Sequence, residues 1–167
     1  MFDLLCLTDR TLCREPFLDR VAAIAAARPA ALILREKDLP EDQYQALAAQ
    51  VMALCQKAGV PCILHTFVGA ARALGARAIH LPLPVLRTLS AGERAAFPAL
   101  GASCHSVEEA WEAVALGATY LTAGHVFATT CKAGLPGRGV EFLAQVCAAV
   151  PCPVYAIGGG GPENLPA

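Results

Sequence analysis

Seven short apolar runs recur along the chain: Leu4 to Thr8, Ala31 to Leu34, Pro61 to Leu64, Ala78 to Leu81, Leu100 to Ser103, Tyr120 to Ala123 and Val154 to Ile157. Each has strand length, none alternates apolar with polar, and Leu, Ile and Val are prominent, which is the pattern of strands buried on both faces of a parallel sheet. Helical patterns fill the intervals. Phe17 to Ala27, Glu41 to Ala58 and Val140 to Val150 carry clear helical periodicity, and Thr66 to Leu74 and Ala91 to Phe97 a weaker one. Ser106-Val107-Glu108-Glu109 reads as a capping box opening a helix that runs to Leu116, where Gly117 stops it. Strands and helices in alternation leave two α/β architectures, a doubly wound sheet or a (β/α)8 barrel of TIM type. Regular spacing without a Gly-rich first turn favours the barrel. Such a barrel needs about 200 residues or more, and this chain of 167 residues ends soon after its seventh strand. The expectation is a single TIM-barrel-like domain over residues 1–167, truncated after the seventh strand with the last β/α unit missing. The strand edges this would expose predict a homo-oligomer, most simply a dimer.

Composition narrows the function classes. At 56% hydrophobic and 16% charged the chain has material for one substantial core and too little charge for disorder. A formal net charge of -1, with both signs mixed along the chain, offers no footprint for nucleic acid or an anionic membrane surface. No signal peptide is visible after Met1, and no apolar stretch reaches spanning length without a charge or Pro, so a cytoplasmic protein is expected. The eight cysteines contain no CxxC pair, and most fall in apolar runs or helical patterns, where a reduced thiol behaves as a small hydrophobe. Neither a disulfide framework nor a zinc site is expected. Cys131 differs in standing beside Lys132, which could lower its pKa; a bystander thiol is the competing reading.

In a barrel of this type the site is built past the carboxyl ends of the strands. Those exits are polar and mostly cationic here: Thr8, Asp9 and Arg10; then Arg35, Glu36, Lys37 and Asp38; His65 and Thr66; His80; Ser103 and His105; His125 through Lys132; and Gly158 to Gly161. His125 ends an apolar strand and is followed by Thr129, Thr130 and Lys132, which makes it the first candidate for an acid/base residue against the reading of a core histidine. Consecutive glycines after the last strand let backbone amides approach an anion, so Gly158 and Gly159 are candidate phosphate binders, with a plain flexible turn as the alternative. Arg35 and Lys37 are candidate ligand cations, with a strand-end ion pair to Glu36 or Asp38 as the alternative.

The order of these segments, Leu7-Thr8-Asp9, Leu34-Arg35-Glu36-Lys37-Asp38, Ile79-His80-Leu81-Pro82, Gly101 to Ser106 and Ala156-Ile157-Gly158-Gly159, resembles the thiamine phosphate synthase superfamily. Within it, Gly124-His125-Val126-Phe127, Thr129, Cys131-Lys132, Gly134-Leu135 and Gly137-Arg138-Gly139-Val140 resemble the thiazole tautomerase branch, TenI. That resemblance implies an isomerase of thiamine biosynthesis acting on a phosphorylated thiazole, with His125 moving the proton and Arg35, Lys37, Ser103, Thr129 and Lys132 holding substrate. It implies no metal and no cofactor. A synthase that displaces pyrophosphate would neutralise it with Mg2+, which wants carboxylates. The family resembles a pattern with acids after strands three and four, whereas Ile63-Leu64-His65-Thr66 and the span His80 to Gly92 contain none. Two alternatives stand beside the tautomerase: a thiamine phosphate synthase, and a non-catalytic ligand-binding or regulatory relative.

Overall fold

The computed structural model describes residues 3–129, 134–161 and 164. Seven parallel strands follow one another in chain order, the order of a TIM-type barrel, so the α/β class expected above is the class found. The chain divides into two compact units, Met1–His80 and Leu81–Ala167.

The first unit holds strands β1 (Leu5–Leu7), β2 (Ala31–Leu34), β3 (Cys62–His65) and most of β4 (Ala78–Pro82), with helices α1 (Phe17–Ala26), α2 (Glu41–Ala58) and α3 (Val68–Ala73). β2 is buried at all four positions, which explains its unbroken Ala31-Leu32-Ile33-Leu34 run. Leu32, Ile33, Leu34, Leu64 and Ile79 form the sheet's share of the core, and Val21, Ala48, Val51 and Cys55 come from the helices that cover it. Each Leu or Ile removed from water contributes about 1.5–3 kcal/mol, so these positions carry much of the stability. α2 begins at Glu41 with Asp42 beside it, acids suited to the positive end of a helix, and stops at Gly59 in the left-handed conformation at φ 72°. Tyr44, fully buried on α2, does a second task. Its hydroxyl donates to the Leu34 carbonyl at 2.8 Å and accepts from the His65 amide at 2.8 Å, fastening the ends of β2 and β3 to one phenol.

The second unit holds β5 (Ala99–Cys104), β6 (Tyr120–Gly124) and β7 (Val154–Ile157), with α4 (Leu83–Thr88), α5 (Ala91–Ala95), α6 (Val107–Ala115) and α7 (Gly139–Ala149). Register pairs Ala102 with Leu121 and Leu121 with Val154, and Leu86, Leu100, Leu121 and Val146 lie in its core. α4 was not expected from the sequence; its six residues open with a Pro at the start, as a helix's first turn tolerates. The complete capping box is on α5, where Ser90 and Glu93 bond reciprocally. Ser106 caps α6 by accepting from the Glu109 amide at 3.1 Å, but Glu109 reaches the His105 amide instead, at 2.6 Å. Cys55 and Cys104 are buried as expected of core thiols, whereas Cys147 is exposed; Cys131 lies outside the described residues.

Candidate functional site

In the first unit β2 ends at Leu34 and the chain turns over residues 36–39, the Leu39 amide donating to the Glu36 carbonyl at 3.4 Å. Glu36, 2% exposed, accepts from the Thr8 hydroxyl at 2.6 Å, from the Arg10 amide at 3.1 Å and from the Arg10 guanidinium at 3.3 Å. Asp38 takes the same guanidinium in a two-pronged pair at 2.6 and 2.5 Å, which holds its carboxyl below the usual range and the guanidinium above its own. Arg10 is thus a shared partner of both acids. Thr8 completes the clamp by accepting from the Arg35 amide at 2.9 Å.

Next to that exit stand two imidazoles. His65 and His80 face each other in the β3–β4 register, with ring centroids 5.6 Å apart and planes 21° apart, and both are buried. The Nδ1 of His65 is hydrogen-bonded to the Thr66 hydroxyl at 2.6 Å. Burial, then His80, Lys37 and Arg35, push the His65 pKa down to about 3. Burial and Lys37 push that of His80 down to about 4, so both rings are neutral at pH 7.

The second unit carries the remaining candidates. His125 is 9% exposed and its Nε2 is bonded to the Pro136 carbonyl at 3.0 Å; a carbonyl only accepts, so Nε2 donates. His105, exposed, is fixed the opposite way, its Nδ1 donating to the Gly124 carbonyl at 2.8 Å. Ser103 receives the Thr122 hydroxyl at 3.3 Å, and Thr129 is half-buried. Lys132 lies outside the described residues. The pairing of β6 and β7 continues past the strands, from the Val126 amide to the Ile157 carbonyl and from the Phe127 amide to the Gly158 carbonyl, both at 2.9 Å. A Cβ on Gly158 would overlap the His125 side chain, and one on Gly159 the Ala128 carbonyl. With φ of 94° and 70° at these two residues, glycine is required here for close approach. Asn164, unnoticed in the sequence, fastens the turn: its side chain donates to the Gly159 carbonyl and accepts from the Gly161 amide, both at 2.8 Å.

Thus Arg35, Lys37, His65 and His80 gather in one unit, and His125, Gly158 and Gly159 in the other. Among the described residues no three His, Cys, Asp or Glu side chains are grouped to hold a metal ion. No helix among them is long and apolar enough to cross a membrane.

Seven parallel strands in chain order, with helices between them and a constrained glycine turn after the seventh, define an α/β protein of TIM-barrel type. The chain belongs to the thiamine monophosphate synthase family, whose profile matches residues 4–167. It is 33% identical to a thiamine-phosphate synthase of Syntrophomonas wolfei over 98% of this chain and 80% of that one. It is 32% identical to one of Caldanaerobacter subterraneus over 98% and 77%. Among solved structures, thiamine phosphate pyrophosphorylase from Pyrococcus furiosus superposes with a TM-score of 0.81 at 29% identity, over 97% of this chain and 77% of that chain. These relatives correct the expectation of a thiazole tautomerase: they carry the synthase name, and the isomerase reading, with the proton shuttle assigned to His125, is withdrawn. The local resemblance around Gly124 to Val140 pointed to one branch, and similarity over nearly the whole chain points to the other.

Proposed function

We propose that the chain is a thiamine-phosphate synthase, in which a thiazole phosphate displaces pyrophosphate from a pyrimidine pyrophosphate. The observation that carries this reading is identity of 33% to a synthase over 98% of the chain. Each unit offers groups suited to an anionic substrate. Arg35 and Lys37 are assigned to the diphosphate, as cations at a strand exit. Ser103, Thr129, Lys132 and the amides of Gly158 and Gly159 are assigned to the phosphorylated thiazole. His125 lines the β6 exit, its imidazole tying that segment to Pro136.

The residues present do not fit a carboxylate-held Mg2+. The exit of β3 offers His65 and Thr66, that of β4 offers His80 and no acid through Gly92, and Glu36 and Asp38 are engaged by Arg10. The reading is tested by incubating the chain with the pyrimidine pyrophosphate and the thiazole phosphate, with and without Mg2+, and quantifying products by chromatography. Thiamine phosphate and pyrophosphate in equal amounts are expected in at least one of the two conditions; neither product in both conditions overturns the assignment.

A further inference from the structure

We propose that Cys55 and Cys62 are a redox modification site, closing into a reversible disulfide when the chain meets a low-molecular-weight disulfide. Cys55 stands in the last turn of α2, Cys62 is the first residue of β3, and residues 56–61 join them. The connection is tight: Gly59 ends the helix in the left-handed conformation, and the Val60 amide donates to the Cys55 carbonyl at 2.9 Å. α2 packs on β3 there, and the two thiols are hydrogen-bonded to each other. Side chains in contact across so short a connection meet the requirement that most cysteine pairs fail, that the two sulfurs point at one another. Cys6 does not compete for Cys62. It pairs with Leu32, which pairs with Cys62, so two strand spacings of about 4.8 Å each separate them.

Exposure divides the roles. Cys55 is fully buried and Cys62 is partly exposed, so a reagent from solvent meets Cys62 first. The hydrogen bond to Cys55, with burial added, pushes the Cys62 thiol up, which makes this first step slow. The second step is fast because Cys55 is already in place. In the first, the Cys62 thiolate attacks one sulfur of the reagent, the reagent's S–S bond breaks, and its other half leaves as a thiolate that takes up the proton Cys62 lost. In the second, Cys55 gives up its proton and attacks the Cys62 sulfur, and the remaining half of the reagent leaves in the same way. The two cysteines together lose two electrons and two protons, and the reagent is reduced to two thiols. The bond forms at the amino end of β3, with His65 at the other end of the strand, so it closes away from the polar exits.

The whole chain, reduced beforehand, is incubated folded with hydroxyethyl disulfide, and its peptides are mapped by mass spectrometry without reduction. A peptide pair linked through Cys55 and Cys62 is expected, separating again on treatment with dithiothreitol, while Cys62 carrying the reagent stays below about a tenth of the linked form because ring closure outruns entry. In Cys55→Ala the reaction is expected to stop at Cys62, which then keeps the reagent as a stable mixed disulfide. Should that buried variant fail to fold, the map of the unsubstituted chain decides alone. Cys62 remaining a free thiol in the unsubstituted chain, accumulating there as the mixed disulfide, or joined to any other cysteine overturns the inference. No substrate enters the experiment, so its outcome is independent of the synthase reading.

Discussion

The Thr8 hydroxyl donates to Glu36 Oε1 at 2.6 Å across 28 residues of chain, and the Thr8 oxygen itself accepts from the Arg35 amide at 2.9 Å. A buried carboxylate is thereby satisfied and the backbone at the β2 exit is held in place. Removing Glu36 would strand the donors that surround it. Glu36→Ala is expected to lower stability by about 3 kcal/mol, since breaking a buried charged network costs far more than its net contribution. Asp38→Ala, at the exposed end of the same guanidinium, should leave the urea midpoint almost where it was. Equal shifts in the two variants would show that burial does not set the strength of this clamp.

The neutral His65 and His80 make stability depend on pH. Their folded pKa values lie near 3 and 4, below the ordinary 6.5, so between those limits the unfolded chain binds protons that the folded chain refuses. With more protons bound in the unfolded state, stability rises with pH; the contribution is complete above about pH 6.5 and is lost as pH falls toward 4. Denaturant titrations between pH 6 and pH 5 should show a loss of roughly 2.5 kcal/mol per pH unit for the two rings together, halved in His65→Asn. A flat profile across that range would mean that the rings titrate in the folded protein at ordinary values.

How much of this could be read from the sequence follows from the range over which each feature is determined. β2 was legible because Ala31 to Leu34 are buried on both faces, so the strand announces itself as an unbroken apolar run. α4 was not, because Leu83 to Thr88 is one short turn of helix whose Pro84 reads locally as a loop. Arg35 and Lys37 could be singled out from their place after a strand. The partners of Glu36, Thr8 and Arg10, could not, because they lie 26 to 28 residues away and only the β1–β2 pairing brings them near. The His65–His80 stack depends on strand register, which no local pattern encodes, although two imidazoles each ending a predicted neighbouring strand were a usable signal. Asn164 gave no signal at all until Gly159 and Gly161 were seen to bond to it.

Tyr44 offers a test of how the helix layer controls the site. Burial pushes its phenol pKa up, so the hydroxyl stays protonated and serves both Leu34 and His65. Tyr44→Phe keeps the ring packed at 4.4 Å from Phe67 but leaves a buried carbonyl and a buried amide unanswered, at a cost of roughly 1–3 kcal/mol for each group. The expected result is a lower Tm together with faster hydrogen exchange at the His65 amide. Exchange there no faster than in the parent chain would assign that amide another acceptor.

Gly158 and Gly159 set the last requirement. Both have positive φ, and a methyl group at Gly158 would collide with His125, while one at Gly159 would collide with the Ala128 carbonyl. Ala in the left-handed region costs about 1–2 kcal/mol before any collision is counted, and the collision must be relieved by moving the turn or the β6 exit it packs against. Because the thiazole phosphate is assigned to these amides, Gly158→Ala and Gly159→Ala should each raise KM for the thiazole phosphate at least tenfold while leaving KM for the pyrimidine pyrophosphate within about twofold. A parallel rise in both constants would place the damage in the fold at large, and an unchanged pair would remove the glycine turn from the phosphate site.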